Sequence, residues 1–279
     1  MTDFDWNERR WLVLTGAGTS TDSGIPDYRG PGSPPRAPMT YQEFTRSPEA
    51  RQRYWARAHI GWNRMSAAIP NAAHHDLVRR QREGRLLGLI TQNVDGLHER
   101  AGHDGVIALH GRLDGVVCLD CGRHSSRLRL HRRLAELNPG WESYDAEIAP
   151  DGDSVTDEEV RFVVAPCERC GGRLKPDVVF FGESVPKRRV ATCYELVERA
   201  RLEKAVLVVI GSSLHVMSGL RFVRQAAKDG TPVVIVNRGS TRGDELATVK
   251  IDAGVAETLH ALSERLRPLD RPVRQPTVS

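Results

Sequence analysis

Apolar residues along this chain gather in short unbroken runs. Trp11 to Thr15 (WLVLT) is the first; Leu86 to Thr91, Val106 to Leu109, Val178 to Phe181, Ala205 to Ile210 and Pro232 to Val236 follow. An unbroken run, as opposed to alternating apolar and polar positions, suits a strand covered on both faces of its sheet. Between the last three runs, apolar spacing predicts helices over 188–201 and 217–228. Strands alternating with helices of that length predict an α/β fold, a Rossmann-like parallel sheet with helices on both faces.

Two segments break the alternation. Residues 31–80 begin with Pro31, Pro34, Pro35 and Pro38 and continue as a long amphipathic pattern that includes Tyr54, Trp55 and Trp62. Residues 116–173 hold four of the five cysteines and an acidic stretch from Asp145 to Glu159. Together they are expected to build a smaller second domain, with a helical module over 31–80 and a cysteine-bearing module over 116–173. The sheet domain is then discontinuous, over 1–30, 81–115 and 174–266. The tail 267–279, with Pro268, Pro272 and Pro276, is expected to be disordered.

At 279 residues, with 39% hydrophobic and 27% charged residues, the chain can bury a sizeable core and has neither a disordered nor a fibrous composition. Its net charge of +4 is too mild to argue for nucleic acid. Only five of the 40 basic residues are lysines, a bias that GC-rich coding explains. The longest apolar stretch, Ala205 to Ile210, falls far short of the roughly 20 residues that span a bilayer. The start, MTDFDWNERRW, has acids where a signal peptide needs a basic and then an apolar region. The expectation is a cytoplasmic protein with no membrane partner.

Cys118-x2-Cys121 and Cys167-x2-Cys170 form two knuckles, each followed by glycine. Such pairs present four thiolates to one tetrahedral Zn²⁺, and four protein ligands leave no open position, so the metal is expected to be structural. Cys193 stands alone in a helical pattern and reads as core. Gly16-x-Gly18 follows the first strand, where backbone N–H groups can meet a dinucleotide pyrophosphate. The dehydrogenase fingerprint is incomplete, however. Thr21 stands at the third glycine position and no strand-end acid follows, which disfavours a hydride-transferring enzyme.

The run from Gly16 to Arg29 (GAGTSTDSGIPDYR) resembles the signature of the sirtuins, the NAD-dependent protein deacylases. Gln92-Asn93-Val94-Asp95, Leu109-His110-Gly111, the paired cysteines, Phe180-Phe181-Gly182-Glu183, Gly211-Ser212-Ser213-Leu214 and Val236-Asn237 resemble further motifs of that family, in order. The resemblance covers residues 11 to about 266. Arg51 to Arg57, Gly61-Trp62, Ala149 to Asp153, Lys175 to Gly182 and Tyr28 are similar to the class II branch, the group of the mitochondrial sirtuin-4. With the arginine bias, a bacterial member is implied.

The resemblance implies an NAD-consuming reaction: nicotinamide leaves, the acyl-lysine oxygen attacks the ribose, and a base then lets a ribose hydroxyl attack the alkylimidate. The products are nicotinamide, O-acyl-ADP-ribose and free lysine. It makes His110 the base, a task that suits an imidazole, with His98 as scaffold. By the same resemblance Asn93 faces the nicotinamide ribose and Asp95 holds the carboxamide, with Ile25 and Asp27 closing that pocket beside Gln92. Gly16, Ala17, Gly18, Thr19, Ser20, Tyr28 and Arg29 lie over NAD. Gly211, Ser212 and Ser213, then Asn237, Arg238 and Gly239, contact phosphates and adenosine, with Val255 at the adenine.

Val179, Phe180, Gly182 and Glu183 on one side, and Leu214 and Val216 on the other, are implied to flank the peptide of an acylated-lysine protein as an added strand. Met217-Ser218 stand near where many sirtuins carry proline, which puts peptide preference in question. Tyr54-x-x-Arg57 matches the pair that holds acidic acyl groups in desuccinylating sirtuins, and as ordinary residues they are equally a packing tyrosine beside a solvated arginine. The competing readings are protein ADP-ribosyl transfer or lipoamide removal from the same pocket. A rival of another class is a non-catalytic zinc-ribbon module for nucleic acid, which the charge balance disfavours.

Overall fold

Trp11–Thr15 forms strand β1 with all five residues buried, as its unbroken apolar run requires. A computed structural model describes residues 5–28, 38–141 and 161–264. Arg29, the acidic stretch with its Ala149 to Asp153 motif, and the tail lie outside the described residues. After β1 come α1 (Tyr41–Arg46), α2 (Pro48–Ala67), α3 (Ala72–Arg82), β2 (Leu86–Thr91), α4 (Leu97–Arg100) and β3 (Ile107–Ala108). β4 (Gly111–Cys118), β5 (His124–Ser126), α5 (Arg127–Leu137) and β6 (Leu174–Val178) follow. The chain continues through α6 (Lys187–Leu202), β7 (Val206–Ile210), α7 (Met217–Lys228), β8 (Val233–Val236), β9 (Val249–Ile251) and α8 (Val255–Glu264).

Six strands run parallel in the order β3-β2-β1-β7-β8-β9. From β1 the order grows outward to β2 on one side and to β7 on the other. The connections from β1 to β2 and from β7 to β8 therefore run in opposite directions along the sheet, and a crevice opens at the carboxyl ends of β1 and β7. Leu12, Leu14, Leu207, Val209 and Ile235 pack on one face against Val197 of α6 and Phe222 of α7. Trp11, Val13, Val206, Val208 and Val234 pack on the other against Leu77 of α3 and Leu259 of α8. Burial on both faces explains why these strands carry no polar alternation.

A second, antiparallel sheet has the order β5-β4-β6. It shares a core with α2, in which Trp55, Val116, Leu134, Phe162 and Phe180 are buried. Ser47 caps α2 by accepting from Ala50 N, and Pro48 takes the first helical position, where a missing N–H costs nothing. The strand expected at Val178 to Phe181 runs instead from Leu174 to Val178 and pairs with β4, outside the parallel sheet. Phe180 is buried and Phe181 makes only an isolated bridge to Thr40, so that apolar run reports burial and not a ladder.

One close approach fixes the crevice. Gly211, just past β7, has a φ of 59°, and a Cβ there would lie 2.4 Å from the Thr19 backbone nitrogen. Elsewhere in the interior five histidines, His59, His74, His98, His103 and His131, are buried. Burial pushes His59 from an ordinary 6.5 to about 3, pushes His74, His103 and His131 to about 4, and holds His98 well below 6.5.

Gly211→Ala is expected to lower stability by at least about 3 kcal/mol in urea unfolding, since it adds a backbone clash to left-handed strain. Gly230→Ala, with the same sign of φ (73°) but no atom within 4 Å of its Cβ, is expected to cost about 1 kcal/mol. The histidines make the fold acid-sensitive, because the unfolded chain binds protons that the folded chain refuses. Stability is held above about pH 6.5 and falls as pH drops from there through about 4, and urea midpoints at these two ends measure the loss.

Candidate active site

The crevice holds a cavity of about 1490 Å³. Its floor is two glycine turns laid backbone to backbone: Gly18 N donates to Gly211 O at 2.8 Å, and Gly16 N to Ile210 O at 3.0 Å. A Cβ on Gly16 would come within 2.8 Å of the Gly211 oxygen. Gly16, Ala17, Gly18 and Ser20 line the cavity after β1, and Ile25, Asp27 and Tyr28 line it further along the same loop. Gln92, Asn93 and Asp95 enter from the end of β2, and Gly211, Ser212 and Ser213 from β7. Asn237, Arg238 and Gly239 close the far end after β8, together with Val255 at the start of α8. Thr19 differs: it is buried and turned inward, donating from Oγ1 to Ile210 O at 3.1 Å.

A hydrogen-bonded chain crosses one end of the cavity. Asn93 Nδ2 donates to Ser20 Oγ at 3.0 Å, and Ser20 Oγ donates to Asp95 Oδ2 at 2.7 Å. Leu97 N donates to Asp95 Oδ1 at 2.9 Å. Burial raises the Asp95 carboxyl above its ordinary 3.8, while these two hydrogen bonds hold it down. Beneath them Thr91 Oγ1 accepts from Asn93 N, and Thr15 Oγ1 lies 2.8 Å from Thr91 Oγ1 and 3.0 Å from His98 Nε2. His98 thus serves as scaffold, wedged between His74 and His103.

His110 follows β3. Its Nδ1 lies 2.9 Å from the Gln92 carbonyl oxygen, which can only accept, so Nδ1 carries the proton and Nε2 the lone pair. Gln92 is itself fixed, with Nε2 donating to Ser212 Oγ at 2.7 Å and a Gly219 that leaves no room for a Cβ against its side chain. His110 is half-buried and lines the cavity. Burial lowers its pKa to about 4, the Arg189 guanidinium adds to that, and the Gln92 hydrogen bond opposes it. The imidazole is therefore neutral, with a free base at Nε2, across the working pH range.

Beside His110 two chain edges face each other across the cavity. Val179, Phe180, Gly182 and Glu183 line one side, and Leu214 and Val216 the other. The first edge continues the second sheet, since Val179 N donates to His110 O at 2.7 Å. Glu183 braces it, accepting from Phe180 N at 2.9 Å and pairing with buried Lys175 at 3.1 Å. On the opposite edge Leu214 has a φ of 53°, strained for a branched residue and held by Ser212 Oγ accepting from its N–H.

Tyr54 reaches the cavity wall, packed edge-on to Phe44 and against Phe180; Arg57 does not line the cavity. Two residues here have roles that the motifs do not announce. Lys175 opens the class II motif, but its role shows only once its oxygen partners are known: it is a buried charge in a core strand, bonded to Pro176 and Val178 oxygens and Glu183. Ser218 places its hydroxyl 2.7 Å from His110 Nε2 and shows in the sequence only as a departure from proline.

Away from the cavity, Cys118 ends β4, Cys121 lies in the turn after it, and Cys167 and Cys170 lie in the turn before β6. Cys118 and Cys170 sulfurs are 3.6 Å apart, Cys121 and Cys167 sulfurs 3.9 Å, and all four lie within 4.8 Å of one another. Four sulfurs about 2.3 Å from one Zn²⁺ at tetrahedral corners would sit about 3.8 Å apart, so the cluster fits one structural zinc. Cys193 is buried on α6 with its thiol pushed up to about 12 by burial, an inert core residue.

The Sir2 family model matches residues 16–218. NAD-dependent protein deacetylase 1 of Streptomyces coelicolor is 58% identical over 259 residues, covering 91% of this chain and 85% of that protein. The mitochondrial NAD-dependent protein lipoamidase sirtuin-4 of Bos taurus is 46% identical over 264 residues, covering 92% of this chain and 82% of that protein. A solved Sir2 complex with the inhibitor EX-527, 2′-O-acetyl-ADP-ribose and a deacetylated p53 peptide superposes with a TM-score of 0.72 at 30% identity, covering 93% of this chain and 96% of that one. The matched span takes in the glycine turns, His110 and all four cysteines, and the chain belongs to the Sir2 family.

Proposed function

We propose that this chain removes acyl groups from protein lysine side chains and transfers them to the ADP-ribose of NAD. It is an NAD-dependent protein deacetylase. The observation that carries the assignment of roles is His110: a neutral imidazole with Nδ1 tied down and Nε2 aimed into a cavity shared by the glycine turns and the two edges. NAD supplies a ribose carbon that becomes electrophilic as nicotinamide leaves.

The chain's residues divide the remaining work. Backbone N–H groups of Ala17, Ser212 and Ser213, carried by the two glycine turns, bind the pyrophosphate, where larger side chains at the turns would block the approach. Asn237, Arg238, Gly239 and Val255 bind the adenosine end, and Tyr28 covers the opposite end, with Arg29 beside it in sequence. Ser20 orients Asn93 and Asp95 toward the ribose and carboxamide, and Ile25 and Asp27 close that pocket against water. The edges at Val179 to Glu183 and Leu214 to Val216 grip the substrate backbone as an added strand, which tolerates varied protein sequences. His110 Nε2 then takes the proton of a ribose hydroxyl so that its oxygen can attack the acyl carbon.

Arg57 lies off the wall that Tyr54 forms, and this favours uncharged acyl chains, acetyl to lipoyl, over succinyl and glutaryl. The four cysteines hold one Zn²⁺ with no part in the chemistry. We assign the cytoplasm as the compartment, on the reduced thiolates that a four-cysteine zinc site needs.

Peptides bearing acetyl, propionyl, lipoyl, succinyl and glutaryl lysine, incubated with NAD, are expected to yield free lysine and O-acyl-ADP-ribose by mass spectrometry. Neutral groups should turn over fastest, and His110→Ala should lose at least about 100-fold in kcat. Turnover that survives in His110→Ala, or ADP-ribosylated protein without O-acyl-ADP-ribose, would refute the assignment. Metal analysis should give one zinc per chain, and Cys170→Ser should release it and lower the thermal midpoint.

A further inference from the structure

Ser218 has no part in the binding roles above, yet its Oγ lies 2.7 Å from the nitrogen that does the work. It is the second residue of α7, half-buried, beside Met217, which is 41% exposed at the cavity mouth. His110 Nδ1–H is committed to the Gln92 carbonyl, so Nε2 is an acceptor and the Ser218 hydroxyl donates to it. A hydroxyl also has lone pairs, so the same side chain can accept from Nε2–H after a small rotation. That second role matters here because burial and the Arg189 guanidinium of α6 both work against a protonated His110. Its two hydrogen-bonding neighbours, Gln92 at the end of β2 and Ser218 on α7, are uncharged.

We propose that Ser218 is a positioning residue for His110 in the deacylation reaction assigned above. Before the reaction its hydroxyl holds Nε2 pointed into the cavity as a base. An arriving ribose hydroxyl displaces it, since Nε2 has a single lone pair. When that hydroxyl proton moves to Nε2 and the ribose oxygen leaves toward the acyl carbon, Nε2–H returns to Ser218 Oγ as donor. Ser218 makes and breaks no covalent bond, and the proton stays on Nε2 until solvent at the mouth removes it. A hydrogen bond to a charged partner is stronger than one to a neutral partner, so Ser218 stabilises the imidazolium more than the imidazole.

The test compares Ser218→Ala, Ser218→Pro and Ser218→Thr. Proline is tolerated in the first turn of a helix, so Ala and Pro disturb the backbone differently and share only the lost hydroxyl. Both are expected to lower kcat about tenfold with the NAD KM nearly unchanged, and threonine is expected to restore kcat. In both, the acid limb of the kcat profile and the NMR titration midpoint of His110 should move down by roughly one pH unit. An unmoved midpoint in Ala and Pro would overturn the proposal, whatever happens to kcat. Should the wild-type protein turn over no acyl peptide, the deacylase reading fails by itself, and the midpoint still decides whether Ser218 supports the charged His110.

Discussion

The hydrogen bond from His110 Nδ1 to the Gln92 carbonyl is the contact on which the chemistry depends. A carbonyl oxygen has no proton to give, so this bond chooses the tautomer and leaves Nε2 bare. The choice is firm because Gln92 is held at both ends. Its side chain donates to Ser212 on the far turn, and its backbone N–H donates to Thr15 O at 3.0 Å. Moving β2 relative to β1 or β7 would therefore move the base. The parallel sheet works here as a jig for one imidazole.

The crevice above that jig exists because two turns cross with almost no space between them. Gly16, Gly18 and Gly211 bring backbone against backbone, and no side chain fits at the crossing. The N–H groups of these three glycines donate to the Ile210, Gly211 and Val236 oxygens and hold the crossing together, so it forms a rigid floor. The second domain contributes a different kind of rigidity. The four-cysteine cluster pins the turns at the ends of β4 and β6, and Val179, just beyond β6, is hydrogen-bonded to His110 O. A structural zinc held by these cysteines would thereby steady one of the two edges.

Much of the fold was legible because burial on both faces leaves unbroken apolar runs. β1, β7 and β8 fall within one residue of the expected bounds, and α7 spans the expected 217–228. The apolar pattern places β6 too far along the chain, since Lys175 and Asp177 interrupt it; the oxygens that satisfy Lys175 belong to Pro176 and Val178 within the strand and to Glu183 beyond it. α3 carries no clear apolar stripe in the sequence, because its buried face includes His74 and Arg80 beside Leu77. In the site, glycine turns and the Leu-His-Gly motif announce themselves locally. The inward turn of Thr19, the displacement of Arg57 and the reach of Ser218 depend on how a side chain meets a distant element, which no local pattern records.

The central claim is a protonation state, and it can be observed directly. In ligand-free protein labelled with ¹⁵N at the histidine rings, the His110 resonances at neutral pH should show a protonated Nδ1 and a bare, pyridine-like Nε2. That result would establish a base pre-aimed before any substrate arrives. A proton on Nε2 instead, or an imidazolium at neutral pH, would contradict the account, because His110 could then take no proton from a ribose hydroxyl in the geometry described.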